Sequence, residues 1–316
     1  MARIQAADGT MRGCHWPLGF SPLSGRAAAQ EQVLSRAQLR EYGVDRFRIR
    51  NQVAARRWQV YGRAVILHSG ALTRRQRWWA ALLHAGDGCA LAGLTAAEAG
   101  GLTGWERERV HLVASRPVPA AALPGVTVHV SRRFADGDLH PVRLPPQTRL
   151  PRSLFDAAVW LPRADHACGL LAAGVQQRLV TVAQLRRQLE TSGQVRHRRI
   201  LRAVLLDIEG GSHSLAEINF YSLCRRAGLP LPHRQAIRAT PDGRRRYLDG
   251  EFDGFSVEVD GAIHLLALNS WADFDRGNEL VLVGNRVLRF SSVAYRTQPA
   301  RVLDQLRRAH AAFGGR

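Results

Sequence analysis

The pattern of apolar and polar positions predicts two short helices near the amino terminus. Ser35 can cap a helix that runs from Arg36 to Tyr42, and Gly43 can end it. Asp45 can cap a second helix, from Arg46 to Arg56. We therefore expect two helices joined by a tight glycine turn.

A hairpin is expected directly after these helices. Trp58 to Leu67 alternates in the manner of two strands that turn near Gly62. In the second helix, Phe47, Ile49 and Val53 are available for the inner face. Helix, turn, helix and hairpin is the order of a winged helix-turn-helix.

The rest of the chain predicts a mixture of helices and strands. Residues 1–28 have no clear period and are expected to be a loose leader. Helices are expected over residues 73–84, 90–101, 153–160, 164–176, 182–189 and 214–227, and strands over 109–115, 125–131, 233–239, 244–251, 255–260 and 287–290. In the first of these helices the expected buried residues are Trp78, Trp79, Leu82 and Leu83.

Asp253 and Gly254 separate two strand-like runs near the carboxyl terminus. Asp-Gly between alternating runs favours a two-residue type I′ turn. With that turn, Phe252 pairs with Phe255, and Asp249 faces Glu258 across the hairpin.

The same register separates an apolar face from an acidic face. Leu248, Val257 and Val259 share the apolar face. The acidic face carries Asp249, Glu251, Glu258 and Asp260. Opposed side chains on paired strands are about 4.5–5.5 Å apart at Cβ, and like charges there destabilise the pair. Mg²⁺ or Mn²⁺ would relieve this repulsion, although pairing with Arg245 or Arg289 would also explain the acids.

Three further candidates each have a second explanation. Glu217 completes a capping box with Ser214, which requires no function, but it can also approach a metal site. His264 follows the acidic strand and is either structural or able to contact phosphate or move a proton. Arg276 lies on a predicted helix and is either a solvated residue or a contact for substrate.

Charge points to a polyanionic partner. The chain has 45 basic residues against 26 acidic ones, and a formal net charge of +19. DNA is the favoured partner, because the chain has no basic amphipathic helix for a membrane surface. The expected DNA contacts are Arg46, Arg48, Arg50, Arg56, Arg57, Arg276 and Arg289.

The cysteines and the amino terminus suggest a cytoplasmic protein. Four cysteines lie far apart without CxxC spacing, which predicts reduced thiols. No long apolar run is present at the amino terminus, so neither a signal peptide nor a transmembrane helix is expected.

Residues from about Ser214 to Ala312 resemble the domain of unknown function related to the very-short-patch-repair (Vsr) endonucleases, in the PD-(D/E)XK nuclease superfamily. The segments that carry the resemblance are His233 to Gln235, Tyr247 to Asp249, Val257 to Gly261, His264, Asp275 to Leu280 and Val287 to Phe290. The resemblance implies a mixed central sheet flanked by helices, and Asp249 and Glu258 as metal ligands. It also implies Glu217 as a helix acid near the site, and Gln235 and His264 as accessory residues.

The chain departs from that superfamily at one position. Asp260 stands where the superfamily usually has lysine, and the sequence contains no lysine at all. The general base is therefore open between Asp260, His264 and a second metal ion.

Residues from about Gln30 to Leu112 resemble the AbiEi-type antitoxin-like winged-helix domain, through Leu34 to Gln38, Arg50, Arg57-Trp58 and Arg75 to Trp78. The expected fold is thus α/β (α+β) with two domains, a winged helix-turn-helix and a restriction-endonuclease-like mixed sheet. The expected division is a leader at 1–28, the winged helix at 29–112, a connecting α/β region at 113–211 that is mostly helical in its second half, and the nuclease-like domain at 212–316.

Two functions follow as expectations. The first is a metal-dependent DNA endonuclease that a winged helix brings to duplex DNA. The second is a DNA-binding regulator or antitoxin-like protein that has kept a nuclease fold without catalysis. A role on RNA or with a toxin or other protein partner shares the same charge argument.

Overall fold

The computed structural model describes residues 21–120, 122–209, 223–225, 228–232, 236–239, 245–248, 250–260, 286–291, 294 and 298–314. These residues form a mixed α and β fold. The chain divides into two compact units, Met1–Ala96 with Glu106–Arg149, and Ala97–Trp105 with Leu150–Arg316.

The first half of the chain alternates short helices and short strands. Its helices are α1 (Ser21–Ala29), α2 (Arg36–Glu41), α3 (Arg46–Ala54), α4 (Arg74–Ala85) and α5 (Gly93–Ala99). Its strands are β1 (Val33–Ser35), β2 (Gln59–Tyr61), β3 (Ala64–Ile66), β4 (Cys89–Leu91), β5 (Val110–Ala114) and β6 (Val126–Val130). They form two antiparallel or mixed sheets, in the orders β1-β3-β2 and β4-β5-β6.

The sheet β1-β3-β2 is covered on both faces because its strands are apolar on both sides. Leu34 and Val65 pack into one cluster with helices α1, α2 and α3. Val33 and Ile66 pack on the other side against Trp79 of α4. Successive residues of a strand point to opposite faces, so these short strands supply both clusters at once.

The capped helices of the first unit form where the sequence predicts them. Ser35 caps α2 in a capping box with Gln38, and Asp45 caps α3. Thr73 caps α4, in which Trp78, Trp79 and Leu82 are buried and Leu83 is partly buried against the core. These caps are decided within four residues of sequence, which is why they are predictable.

Two predictions for this half of the chain were wrong. Residues 21–28 were expected in a loose leader but belong to α1, whose Leu23 is 2% exposed in the core. A helix was expected over 90–101, but the chain first forms β4 and then α5. Pairing of Leu91 with Leu112 on β5 overrides the helical propensity of the alanines.

The second unit contains a group of packed helices and two small sheets. The helices are α6 (Leu150–Trp160), α7 (Ala164–Gln176), α8 (Val182–Thr191), α9 (Arg198–Glu209) and α10 (Pro299–Phe313). Helices α6 to α9 bury Leu154, Leu170, Leu185 and Leu201 completely. The strands are β7 (Ala236–Ala239), β8 (Arg245–Leu248), β9 (Gly250–Phe252), β10 (Phe255–Asp260) and β11 (Val287–Ser291), in the orders β7-β8 and β11-β10-β9.

Within the ranges given above, none of the helices combines the length and the apolar character that a membrane span requires.

The four segments expected from the sequence stay a prediction. The two compact units are defined by contacts between residues, and such units need not coincide with domains of the sequence.

Candidate functional site

Helix α3 is held in place by a cap and by one buried side chain. The Asp45 carboxylate accepts a hydrogen bond of 2.7 Å from the backbone N–H of Arg48. Ile49, one turn into the helix, is 6% exposed in the core beneath it. The helix therefore has a fixed orientation on the first unit.

The arginines of this segment lie mainly in solvent. Arg46, Arg50, Arg56 and Arg57 are exposed, whereas Arg48 is half-buried. Helix α3 ends at Ala54, so Arg56 and Arg57 follow the helix and do not belong to its last turn. The exposed guanidinium groups form a positive surface of the kind that contacts phosphates.

Phe47 was expected on the inner face of α3, and the structure corrects this. Its side chain is 50% exposed. Positions two residues apart are about 200° apart around a helix, so Phe47 and Ile49 cannot share a face. Positions four residues apart are about 40° apart, so Ile49 and Val53 can. The guanidinium carbons of Arg46 and Arg50 lie 4.8 Å and 5.5 Å from the Phe47 ring centroid. Such cation–π contacts hold both arginines against the aromatic ring.

The hairpin β2–β3 is the second element of this surface. Its turn contains Gly62 with φ of 60°, and a Cβ there would fall on the ring of His84. The His84 Nδ1 accepts a hydrogen bond of 3.1 Å from the backbone N–H of Arg63. The Tyr61 hydroxyl donates to the Pro124 carbonyl at 3.1 Å. The hairpin is thus fixed to its own unit, and its turn is at Gly62 as the sequence predicts.

A groove of about 400 Å³ runs between α3 and the hairpin. Its apolar floor is formed by Ile49, Val53, Ala54 and Val60. Its rim is formed by Arg36, Arg46 and Arg50. Arg36 and Val60 are additions to the residues that the sequence singled out. Side chains alternate along β2, so Val60 points to the opposite face of the sheet from Gln59 and Tyr61. Only the fold brings that face beside α3.

The carboxyl-terminal hairpin has the register that the Asp-Gly pair predicts. Phe252 pairs with Phe255 and Gly250 with Val257. The turn type differs from the prediction, because Gly254 has φ of 91° while Asp253 is absent from the residues with positive φ. A type I′ turn requires positive φ at both central residues, whereas one glycine at the second position is typical of type II.

Strand β10 also pairs with β11, in parallel. Glu258 is the register partner of Arg289, and Asp260 is the partner of Ser291. Of the residues predicted on the apolar face, Leu248 and Val259 are described only in their backbone, and Val257 is fully buried in the core. The same cluster contains Phe252, Phe255, Leu288 and Phe290, with Val302 and Leu306 of α10 packed against them.

Most of the predicted site residues near the acidic face lie outside the part of the chain that the structure describes. Asp249, Glu217, Gln235, His264 and Arg276 lie outside the described residues, and Glu258 and Asp260 are described only in their backbone. Arg289 is half-buried on β11. In the part of the chain that the structure describes, no three His, Cys, Asp or Glu side chains come together as a metal site would require. The metal ligands Asp249 and Glu258 stay a prediction.

No known family model and no curated protein matches this chain.

Sequence reasoning also missed a pair of histidines in the first unit. His111 of β5 and His129 of β6 are stacked with ring centroids 5.3 Å apart, and His111 Nδ1 lies 3.0 Å from His129 Nε2. Burial and the nearby charge of Arg109 lower the pKa of His111, and burial together with the charge of His111 lowers the pKa of His129 to about 4. Strand prediction places both residues, but only the parallel register of β5 and β6 makes them neighbours.

The described cysteines are free thiols. Burial raises the pKa of Cys168 and raises that of Cys224 to about 11. A thiol with so high a pKa is protonated at neutral pH and is a poor nucleophile or metal ligand. Cys168 and Cys224 are therefore poorly suited to nucleophilic or metal chemistry.

Proposed function

We propose that this chain binds duplex DNA through α3 and the β2–β3 hairpin and cleaves it as a metal-dependent endonuclease. The observation that supports this best is the exposed arginine surface of α3. A capped helix with a buried inner residue presents Arg46 and Arg50 beside a hairpin, on a chain of net charge +19. Helix, turn, helix and hairpin in this order suit a winged helix-turn-helix.

The cleaving part of the proposal rests on the carboxyl-terminal strands. The register of β9 and β10 around Gly254 is the one from which we inferred that Asp249 faces Glu258. Carboxylate oxygens are the donors that Mg²⁺ or Mn²⁺ takes, so this pair fits a hard divalent cation. When bound, such an ion would polarise the scissile phosphate and lower the pKa of a bound water. Arginines such as Arg276 or Arg289 would neutralise charge that develops on the phosphate.

The residue that takes the proton from water is open in this proposal. In a chain without lysine, Asp260, His264 or a second metal ion is available for that step. In the Vsr-like resemblance Glu217 is the helix acid near the site and Gln235 is accessory, and we assign them no separate role.

A DNA-binding protein without catalysis is the second candidate. It is favoured by the register of β10 with β11, which sets Glu258 beside Arg289. An arginine next to a carboxylate can balance its charge without any metal ion. The absence of lysine from the sequence points the same way.

A plasmid-nicking assay separates the two candidates. We expect the wild-type chain to nick supercoiled plasmid with Mg²⁺ or Mn²⁺, and Asp249→Asn and Glu258→Gln to abolish nicking. Glu190→Gln is the matched control, because it removes one exposed carboxylate from α8 of the same unit. DNA binding without nicking would support the second candidate. Nicking that persists in both site variants would reject these ligands.

A further inference from the structure

The groove between α3 and the hairpin combines two chemistries within one small volume. Its rim carries three arginines, and no Asp or Glu is among the residues that line it. Its floor is aliphatic, and Val60 is 40% exposed there. Val60 is the register partner of Val65 in the buried cluster under α3, and it leaves 40% of its surface exposed at the edge of that cluster.

Two of the rim arginines, Arg46 and Arg50, are placed by contacts on their own helix. Arg46 precedes Phe47 and Arg50 follows it three residues later, and both guanidinium groups lie against the Phe47 ring. Among the residues with described positions, no carboxylate forms an ion pair with Arg36, Arg46 or Arg50. An occupant that supplies negative charge for the arginines and an apolar group for Val60 would match this lining.

Duplex DNA offers this combination in its major groove. The 5-methyl group of thymine is the apolar group that the major groove displays, and phosphates border the groove on both sides. We propose that the groove formed by α3 and Val60 reads thymine methyl groups, so that the chain prefers thymine-containing duplex DNA. This inference rests on the proposed binding of duplex DNA by α3.

The alternative occupant is an acidic peptide with an apolar side. Two further exposed arginines, Arg56 and Arg57, follow the end of α3 and are not among the residues that line the groove. A peptide that fills 400 Å³ would leave these arginines without a counter-charge, whereas a phosphate backbone extends along them. Duplex DNA is thus the better match for the whole surface.

Deoxyuridine provides the test, because it lacks only the methyl group of thymidine. Two pools of random-sequence duplex are prepared, one with thymine and one with uracil throughout, and their affinities for the full chain are compared at one salt concentration. One methyl group removed from water corresponds to about a fourfold change in affinity. We expect the wild-type chain to prefer the thymine pool by about this factor or more.

Measuring wild type and Val60→Ala on both pools forms a double-mutant cycle between Val60 and the thymine methyl group. Val130→Ala is the control. Val60→Ala is expected to lower affinity for the thymine pool and to leave that for the uracil pool unchanged, so that the preference disappears. Val130→Ala removes the same two methyl groups from an exposed valine of β6 and should keep the full preference. Thermal melting of all three proteins verifies that they are folded.

The outcomes separate this inference from the function on which it rests. Equal affinity of the wild type for both pools, or an undiminished preference in Val60→Ala, overturns thymine reading while DNA binding stands. Binding of neither pool overturns both. Tight binding of an acidic amphipathic peptide together with equal affinity for the two pools would assign the groove to a protein partner.

Discussion

Arg56 occupies a backbone conformation that suits glycine better. Its φ is 53°, directly after the last residues of α3. A side chain in this left-handed region costs about 1 kcal/mol, and glycine is the usual residue just after a helix end. Arg56 therefore lowers the stability of the chain slightly, while its exposed charge lies just after the end of α3.

Arg56→Gly is expected to separate stability from binding. The free energy of unfolding should rise by up to about 1 kcal/mol, because the strain is relieved. Affinity for DNA should fall, because a phosphate contact is lost. Urea denaturation and a binding titration measure the two effects. Arg57→Gly removes the same charge without a positive φ, so its stability should fall. Equal shifts in stability for the two variants would contradict the strain.

The pair His111 and His129 predicts acid sensitivity of the first unit. The pKa of His129 is about 4 in the folded chain, against about 6.5 for a free histidine. Between these values the unfolded chain binds a proton that the folded chain does not, so the free energy of unfolding falls as the pH drops from about 6.5 to 4. Above about pH 6.5 the contribution is complete.

The variant His129→Gln measures this contribution. Its melting temperature should fall less between pH 7 and pH 5 than that of the wild type, because position 129 no longer carries an imidazole to protonate. His166→Gln is the control, since His166 is a histidine of the other unit, outside the stacked pair. Parallel pH profiles for wild type and His129→Gln would rule out the pair as the cause.

At the scale of elements, the carboxyl-terminal hairpin and α10 support each other. Gly254 has φ of 91°, and a Cβ on it would fall on the carbonyl oxygen of Phe313 at the end of α10. Both the conformation and the space therefore require glycine. The hairpin turn thus serves as a packing surface for the last helix.

Gly254→Ala is expected to destabilise the chain by about 1–3 kcal/mol, from left-handed strain and from the close approach to α10 together. Differential scanning calorimetry or urea denaturation measures the loss. Gly137→Ala is the control, because no atom lies within 4 Å of a Cβ there. A Gly254→Ala chain as stable as this control would show that the turn does not contact α10 in solution.

Elements differ in how far local sequence decides them. The capped helices α2, α3 and α4 were confirmed because cap and helix lie within a few residues. The strand Cys89–Leu91 was missed because its partner, β5, is about twenty residues away. Phe47 was misplaced because three apolar residues were assigned to a face that holds two of them.

For the whole molecule, the net charge of +19 predicts strongly salt-dependent binding. Each neutralised phosphate contributes about 0.9 to the slope of log affinity against log salt for duplex DNA. Arg46→Gln with Arg50→Gln should therefore lower the slope by about 1.8. Affinities measured by fluorescence anisotropy at several salt concentrations give the slope.

Arg199→Gln with Arg202→Gln is the matched control for this pair. Both are exposed arginines of α9, so the same charge is removed from another surface. A slope unchanged by the α3 pair, or lowered as much by the α9 pair, would mean that α3 is not the DNA contact.

The sequence by itself determined what depends on neighbours along the chain. The helix caps, the turn at Gly62, the register of the hairpin around Gly254 and the apolar face that contains Val257 were all predictable from short stretches. Each rests on hydrogen bonds or alternation within about ten residues. The arginine surface also follows from the sequence, since charge and exposure go together.

Only the tertiary structure decided which distant residues become neighbours. It set Val60 and Arg36 beside α3, stacked His111 on His129, and aligned Glu258 with Arg289 through parallel strands. Parallel pairing joins segments that are far apart in the chain, and no local pattern specifies the partner strand or its register. The groove proposed to read thymine is therefore a property of the fold that its separate residues did not reveal.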